Sequence, residues 1–250
     1  GQLKNLKILN ISGNFLWELP SEIGNLTNLQ SLSLGGNLLS QLPPEIGKLH
    51  NLQALYLSYN QISSITAEIK NLTNLEFLNL LHNRLSTLPP EIKYLKRLKL
   101  LMLSQNINVA FVLPSEIGDL ESLEQLFISE SHLKYVPPEI GKLDELWYLD
   151  VSENHLIQIP SQIGGLQSLK CLNIANNDLM NLPSEIGQLT QLSGLFLNNN
   201  QLTYLPVELG AIHKLEAPDD VCSNRPLVIS GNPLISPPPE IIAQSTPAIL

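Results

Sequence analysis

A chain of 250 residues that is 43% hydrophobic but only 5% aromatic cannot organise its core around a few large rings; it must use many equivalent aliphatic contacts, as repeat proteins do. Charged residues make up 15% and the net charge is -9, with no stripe of Lys and Arg to track phosphates, so nucleic acid is not an expected partner. No apolar run approaches membrane-spanning length, and no membrane partner is expected either.

The first turn asparagine is Asn14, and Asn37, Asn60, Asn83 and Asn106 follow at intervals of 23 residues. After a slip of two residues the register passes through Ser131 and resumes at Asn154, Asn177 and Asn200, with a last copy at Asn232. The second unit carries the period most cleanly, in Leu26, Leu29, Leu32, Leu34, Asn37, Leu39, Leu42, Pro43, Glu45, Ile46 and Gly47. Leu32 and Leu34 alternate with Ser31, Ser33 and Gly35, which predicts a short strand with leucines inward and small residues outward. Copies stacked in register pair into one parallel sheet. Asn37 stands where the chain leaves the strand. Its amide both donates and accepts, so a column of such amides can satisfy loop backbone groups that would otherwise be buried unpaired. The run Pro43-Pro44-Glu45-Ile46-Gly47 predicts a short helical turn, since Pro fits the first helical position and Glu suits the positive end of the helix dipole. Gly47 is read as the stop that keeps this turn short, and Ile46, Leu49 and Leu52 return to the core. Strands on one side and wider turns on the other force the stack to curve.

Departures from the period come in chain order. The chain begins inside a unit, because Gly1-Gln2-Leu3 continues what an E-I-G would start, and this leads us to expect further repeats before Gly1. The third unit has Ile65-Thr66-Ala67-Glu68-Ile69-Lys70 in place of L-P-x-E-I-G, which reads as drift. Lys93, Lys96, Arg97 and Lys99 form the basic cluster, read as a solvated turn between units. The fifth unit carries two extra residues within 106–113, expected either to repack locally or to form a bend or exposed apolar loop used in binding. Ser131 then stands where the ladder wants Asn, and its shorter side chain is expected to leave a buried group unsatisfied, at about 1–3 kcal/mol unless water substitutes. Near the end, residues 216–224 lengthen the last unit before Leu227 and Ile229 supply a final strand.

Catalytic and metal chemistry find little footing. His132 and His155 occupy equivalent positions in adjacent units, but two ligands without a third do not make a metal site, and none is expected. Asp150 with Glu153 reads as solvated charge on a rim, and no Ser or Cys has a matched base by spacing. No enzyme activity and no cofactor are expected. Cys171 and Cys222 are too far apart in sequence for a metal knuckle, and no Cys-rich flank closes either end. A reducing, cytoplasmic location is the reading, with a removed leader left open because the chain starts at Gly1.

The repeat of L-x-x-L-x-L-x-x-N-x-L followed by L-P-x-E-I-G resembles the 23-residue Ras-group and bacterial type of leucine-rich repeat over essentially the whole chain. The resemblance implies an α/β solenoid, a horseshoe with a parallel concave β-sheet and short helical turns on the convex side. Residues 1–250 then form a single domain of about ten units, the final one at 212–242 with a loop insertion at 216–224, and 243–250 begins a connecting helix. The stretch from Gly231-Asn232-Pro233-Leu234 through Glu240-Ile241-Ile242-Ala243-Gln244 is similar to the end of the repeat domain in Roco proteins, where a Ras-like GTPase follows. No G-x-x-x-x-G-K-[ST] loop occurs in these residues, so nucleotide hydrolysis is not assigned to them.

The outward strand positions line the hollow. In the third to seventh units they gather Tyr56, Phe77, Leu81, Leu100, Met102, Phe127 and Tyr148, with Glu130, Asp150 and Glu153 as an acidic edge. Large apolar side chains exposed together on one surface point to a protein partner offering apolar anchors next to basic residues. The function expected is a protein–protein interaction module, the recognition arm of a larger signalling protein such as a Roco-like GTPase. A free-standing bacterial scaffold or host-directed effector is the alternative, and a homodimer the alternative partnership.

Overall fold

The computed structural model describes residues 3–107, 110–215, 222 and 227–235. Each unit contributes one strand of two or three residues: β1 Ile8–Asn10, β2 Ser31–Ser33, β3 Ala54–Tyr56, β4 Phe77–Asn79, β5 Leu100–Met102, β6 Gln125–Phe127, β7 Tyr148–Asp150, β8 Cys171–Asn173, β9 Gly194–Phe196 and β10 Leu227–Val228. They pair parallel in chain order, as a single sheet of ten strands. The register is that of the repeat. Leu32 aligns with Leu55, Leu55 with Leu78, Leu78 with Leu101, and on across the two-residue slip to Leu126 and Leu149. From Leu32 to Leu195 these central leucines are buried, and they pack with Ile46, Leu49, Leu52 and their counterparts into one continuous core. The solenoid with its parallel sheet and short turns is therefore the fold expected from the period.

The turns opposite the sheet are five-residue 3-10 helices such as Pro44–Lys48. Pro43 enters with φ -69, and the Ile46 N–H reaches the Pro43 carbonyl at 3.0 Å, so the chain tightens at once into i→i+3 bonding. Gly47 does not act as a simple stop. A Cβ there would lie 2.8 Å from the Glu68 carbonyl oxygen of the next unit, so this glycine lets neighbouring turns stack closely.

A column of asparagines, broken at Ser131, closes the units. Asn60 is buried; its Oδ1 accepts from the Leu39 N–H of the preceding unit at 3.0 Å, while Nδ2 donates to Leu34 and Leu57 carbonyls, both at 3.0 Å. Asn83, Asn106, Asn177 and Asn200 repeat this pattern, and Asn232 keeps it in the last unit, accepting from Leu202 and donating to Leu197 and Ile229.

Ser131 corrects the expectation of an orphaned group. Its hydroxyl lies 3.2 Å from the Leu103 carbonyl and 3.0 Å from that of Ser129, and accepts from the Asn106 N–H at 3.3 Å. Asn154 Oδ1 takes up the slack by accepting from both Ser131 and Leu133 N–H groups, at 3.0 and 2.9 Å. Among the described residues no buried side-chain nitrogen or oxygen lacks a partner. In the longer fifth unit Phe111 turns inward, fully buried, and its N–H donates to the Ser131 carbonyl at 3.1 Å. Of the two outcomes expected for the insertion, local repacking describes Phe111, while Ile107 and Val112 remain exposed.

The cysteines also correct the sequence reading. Cys171 on β8 and Cys222 form a disulfide across 51 residues, with Cα atoms 5.6 Å apart. A solenoid returns the chain to the same flank once per unit, and so brings residues 51 apart together. The pairing removes the ground on which a reducing compartment was expected. The remainder of the 216–224 insertion, the connecting helix at 243–250, and the Roco-like segment beyond Ile235 lie outside the described residues. Among the described residues no helix is long and apolar enough to cross a membrane.

Asn83→Ala removes the partners of the Ile62 N–H and of the Leu57 and Leu80 carbonyls. At about 1–3 kcal/mol for each buried group left dry, the loss should reach at least about 2 kcal/mol in urea unfolding. Phe111→Ala should cost about 3–5 kcal/mol as a core truncation, whereas Val112→Ala, one residue along and 62% exposed, should stay within about 0.5 kcal/mol of the parent. Equal effects at 111 and 112 would contradict the inward turn of the insertion.

Candidate partner-binding face

Successive residues of a strand point to opposite faces, so burying the central leucines sends both flanking residues into the hollow. Two rows result. One runs through Phe77, Leu100, Gln125 and Tyr148; the other through Tyr56, Asn79, Met102, Phe127 and Asp150. Tyr56 and Phe77 are each 38% exposed, while Leu100, Met102, Phe127 and Tyr148 are half-buried because they shield one another. The Phe127 and Tyr148 rings stack with centroids 4.9 Å apart. Leu81 follows β4, half-buried, its N–H held by Asn79 Oδ1 at 3.0 Å.

Trp147 was missing from the sequence reading. It meets Tyr148 edge-on at 5.8 Å and extends the aromatic cluster towards the start of the strands. The signal was there to be read: the equivalent positions in neighbouring units are Glu76, Lys99, Glu124 and Lys170, all charged. Three of these form an ion ladder, with Lys99 Nζ 3.7 Å from Glu76 and 3.9 Å from Glu124.

The three acidic residues play different parts. Asp150 is tied into its own turn, since Oδ1 accepts from the Ser152 N–H at 3.0 Å and from its hydroxyl at 2.6 Å. Asn10, Asn79 and Asn173 brace the same turn in their units, so Asp150 is a bracing residue that also carries charge. Burial first, and the Asp150 carboxylate second, push the Tyr148 phenol above its ordinary value, keeping it a protonated donor. Glu130 and Glu153 sit farther out, exposed, at the left-handed positions that follow the strands, with φ 51 and φ 54.

That outer row has its own logic. Gly13 and Gly36 occupy it in the first units, where the left-handed conformation is cheap; Tyr59, His82, Gln105, Glu130, Glu153, Asn176 and Asn199 occupy it afterwards. Their side chains contact along the row: Tyr59 stacks on His82 at 4.9 Å, Gln105 donates to Glu130 at 3.1 Å, and Asn199 donates to Asn176 at 2.7 Å. Beside it, His132 Nδ1 and His155 Nε2 meet at 3.1 Å, and His155 lies 3.7 Å from Asp178. The basic cluster is spent between units, with Lys96 on Glu121 at 2.8 Å and Arg97 on Asn74 at 2.7 Å.

The geometry therefore brings eight of the ten expected residues (Tyr56, Phe77, Leu81, Leu100, Met102, Phe127, Tyr148 and Asp150) onto or beside β3–β7 and sets Glu130 and Glu153 on the rim. Towards the end of the sheet the floor changes character, since Cys171 and Gly194 are buried.

Comparison with known proteins agrees with this architecture. The family described as a leucine-rich repeat region matches residues 45–135 and 128–226, and that described as a leucine rich repeat matches residues 4–62. No curated protein matches as a relative. Among solved structures, that of PEPR1–AtPEP1 is 31% identical with a TM-score of 0.70, covering 81% of this chain and 30% of that one. A TDR receptor is 25% identical with a TM-score of 0.66, covering 92% and 44%. The functional domain of InlJ from Listeria monocytogenes, 20% identical over 93% and 46% with a TM-score of 0.74, is alike in fold alone. The chain thus spans less than half the length of each of these three. On the strength of family matches that together run from residue 4 to residue 226, the chain belongs to the leucine-rich-repeat family.

Proposed function

We propose that the chain is a protein–protein interaction module that receives its partner on the floor of β3–β7. The observation that carries this reading is the contiguous apolar surface of Tyr56, Phe77, Leu100, Met102, Phe127 and Tyr148 on a sheet face that no other part of the described chain covers. Aromatic rings and Met at the centre of such a surface supply large contact area at small cost in side-chain entropy, and they anchor interfaces for that reason. Asp150, Glu130 and Glu153 flank it with negative charge, so the partner joins apolar anchors to Lys or Arg. The neighbours support a binding role: TDR is a receptor, and PEPR1 is seen with AtPEP1. The leucine-rich-repeat fold is typically a non-catalytic scaffold, in keeping with recognition as its work.

At finer grain, the similarity of the segment from Gly231 to a Roco repeat end supports a recognition arm within a larger signalling protein of the 23-residue Ras-group type. A phosphate-loop motif encoded shortly after Leu250 would bear this out, and a stop codon there would overturn it. The disulfide favours the second reading, a free-standing scaffold or effector, because structural disulfides persist in oxidising surroundings and are rare in the cytosol.

Changing Tyr56, Phe77, Met102 and Phe127 together to Ser should abolish capture of the native partner, with the far-ultraviolet spectrum unchanged. Undiminished capture by the folded variant would place the binding site elsewhere. Glu130→Lys with Glu153→Lys should slow association by about tenfold at low salt and flatten its salt dependence, leaving dissociation nearly unaltered, as rim charges act on encounter. A change confined to dissociation would contradict a steering role.

A further inference from the structure

We infer that Cys171 and Cys222 are a site of oxidative closure that sets the C-terminal limit of the open concave floor. Three features of the chain converge on it. Cys171 holds an outward position of β8 and yet is 1% exposed, whereas Phe77 at the equivalent place in β4 is 38% exposed. The next strand offers Gly194 in the same row, the one glycine among the outward positions of the ten strands. A Cβ at 194 would lie 2.5 Å from the Cβ of Cys222 and 3.2 Å from its sulfur, so the missing side chain is the seat on which Cys222 rests. Finally, Cys222 Sγ stands 3.4 Å from Ser193 Oγ and 3.1 Å from the Lys170 carbonyl oxygen, so it sits against the start of β8 and β9.

The chemistry is thiol–disulfide exchange with a protein or small-molecule disulfide as oxidant. Cys222 belongs to an inserted segment and Cys171 is enclosed by the sheet, which makes Cys222 the first to react. Its thiolate attacks the oxidant's disulfide, forming one S–S bond and releasing one oxidant thiol. The Cys171 thiolate then attacks Cys222 Sγ, closing the internal bond and expelling the second oxidant thiol. Two electrons and two protons pass from the chain to the oxidant. With the bond closed, β8 and β9 are withdrawn from any partner at this row; with it open, Cys222 is held there by contact alone. The pair covers this floor whether or not a partner sits on β3–β7.

The test uses the whole chain and N-ethylmaleimide. After exposure to glutathione disulfide the native chain should take up no maleimide and weigh two hydrogens less than the reduced chain. After treatment with a phosphine reductant it should take up two. Free thiols persisting in the oxidised sample would overturn the inference. In Cys222→Ser, native by circular dichroism, Cys171 should react within about tenfold of its rate in urea; continued protection would show that Cys222 is not its cover. Gly194→Val should stop the exchange at the mixed disulfide, with one glutathione on Cys222 and Cys171 still free, while Ser31→Val, at the same row of β2, should close normally. Full closure in Gly194→Val would remove the seat from the argument.

Discussion

Each unit of this chain turns a corner over its own core where water cannot reach, and the backbone groups at that corner need partners. The buried asparagine amides provide them, and they do so between units: Oδ1 of Asn60 serves the unit before, while Nδ2 serves both. A bond that reaches across the unit boundary fixes the offset between neighbours as well as their spacing. The strand register follows from that, and so do the straight rows of outward side chains. The sheet is thus a consequence of the ladder and the leucines together, and three residues per strand suffice because neither alignment nor burial depends on strand length.

This explains why so much of the fold was legible in the sequence. The period names the inward leucines, the turn asparagines and the outward rows directly, and Tyr56, Phe77, Met102, Phe127 and Tyr148 stand where the period puts them. What escaped was every feature that depends on contact between units at atomic range. Gly47 makes sense only beside the Glu68 carbonyl of the next turn. Ser131 is satisfied through Asn106, Leu103 and a doubly used Asn154, which no local pattern encodes. The disulfide joins residues 51 apart that lie on one flank. Trp147 is a different case: its row precedes the strands, and a large ring among charged equivalents marks it in the sequence.

The irregular unit illustrates how a ladder absorbs a missing rung. Replacing Asn by Ser at 131 loses reach, and Asn154 Oδ1 makes it good by accepting from both the Ser131 and the Leu133 N–H groups, while the longer preceding unit carries Phe111 into the core and its N–H to the Ser131 carbonyl. The break therefore leaves the rows in register, and Met102 on β5 still meets Phe127 on β6 across it.

The floor also has ends. Before the patch come Ser31, Ser33 and Gly35, small side chains that offer little area to an apolar anchor. After it comes Asn173, then the ground occupied by Cys222 over Gly194. Between them β3 to β7 span about 19 Å at about 4.8 Å per strand, the reach of roughly six residues of extended chain or about three turns of helix. On the reading proposed above, a surface of that size would match a partner by length as well as by chemistry. A stripe shorter than β3–β7 would leave either the Phe127–Tyr148 stack or Tyr56 in water. The repeat supplies the rows. The residues that vary along those rows set where the apolar surface lies.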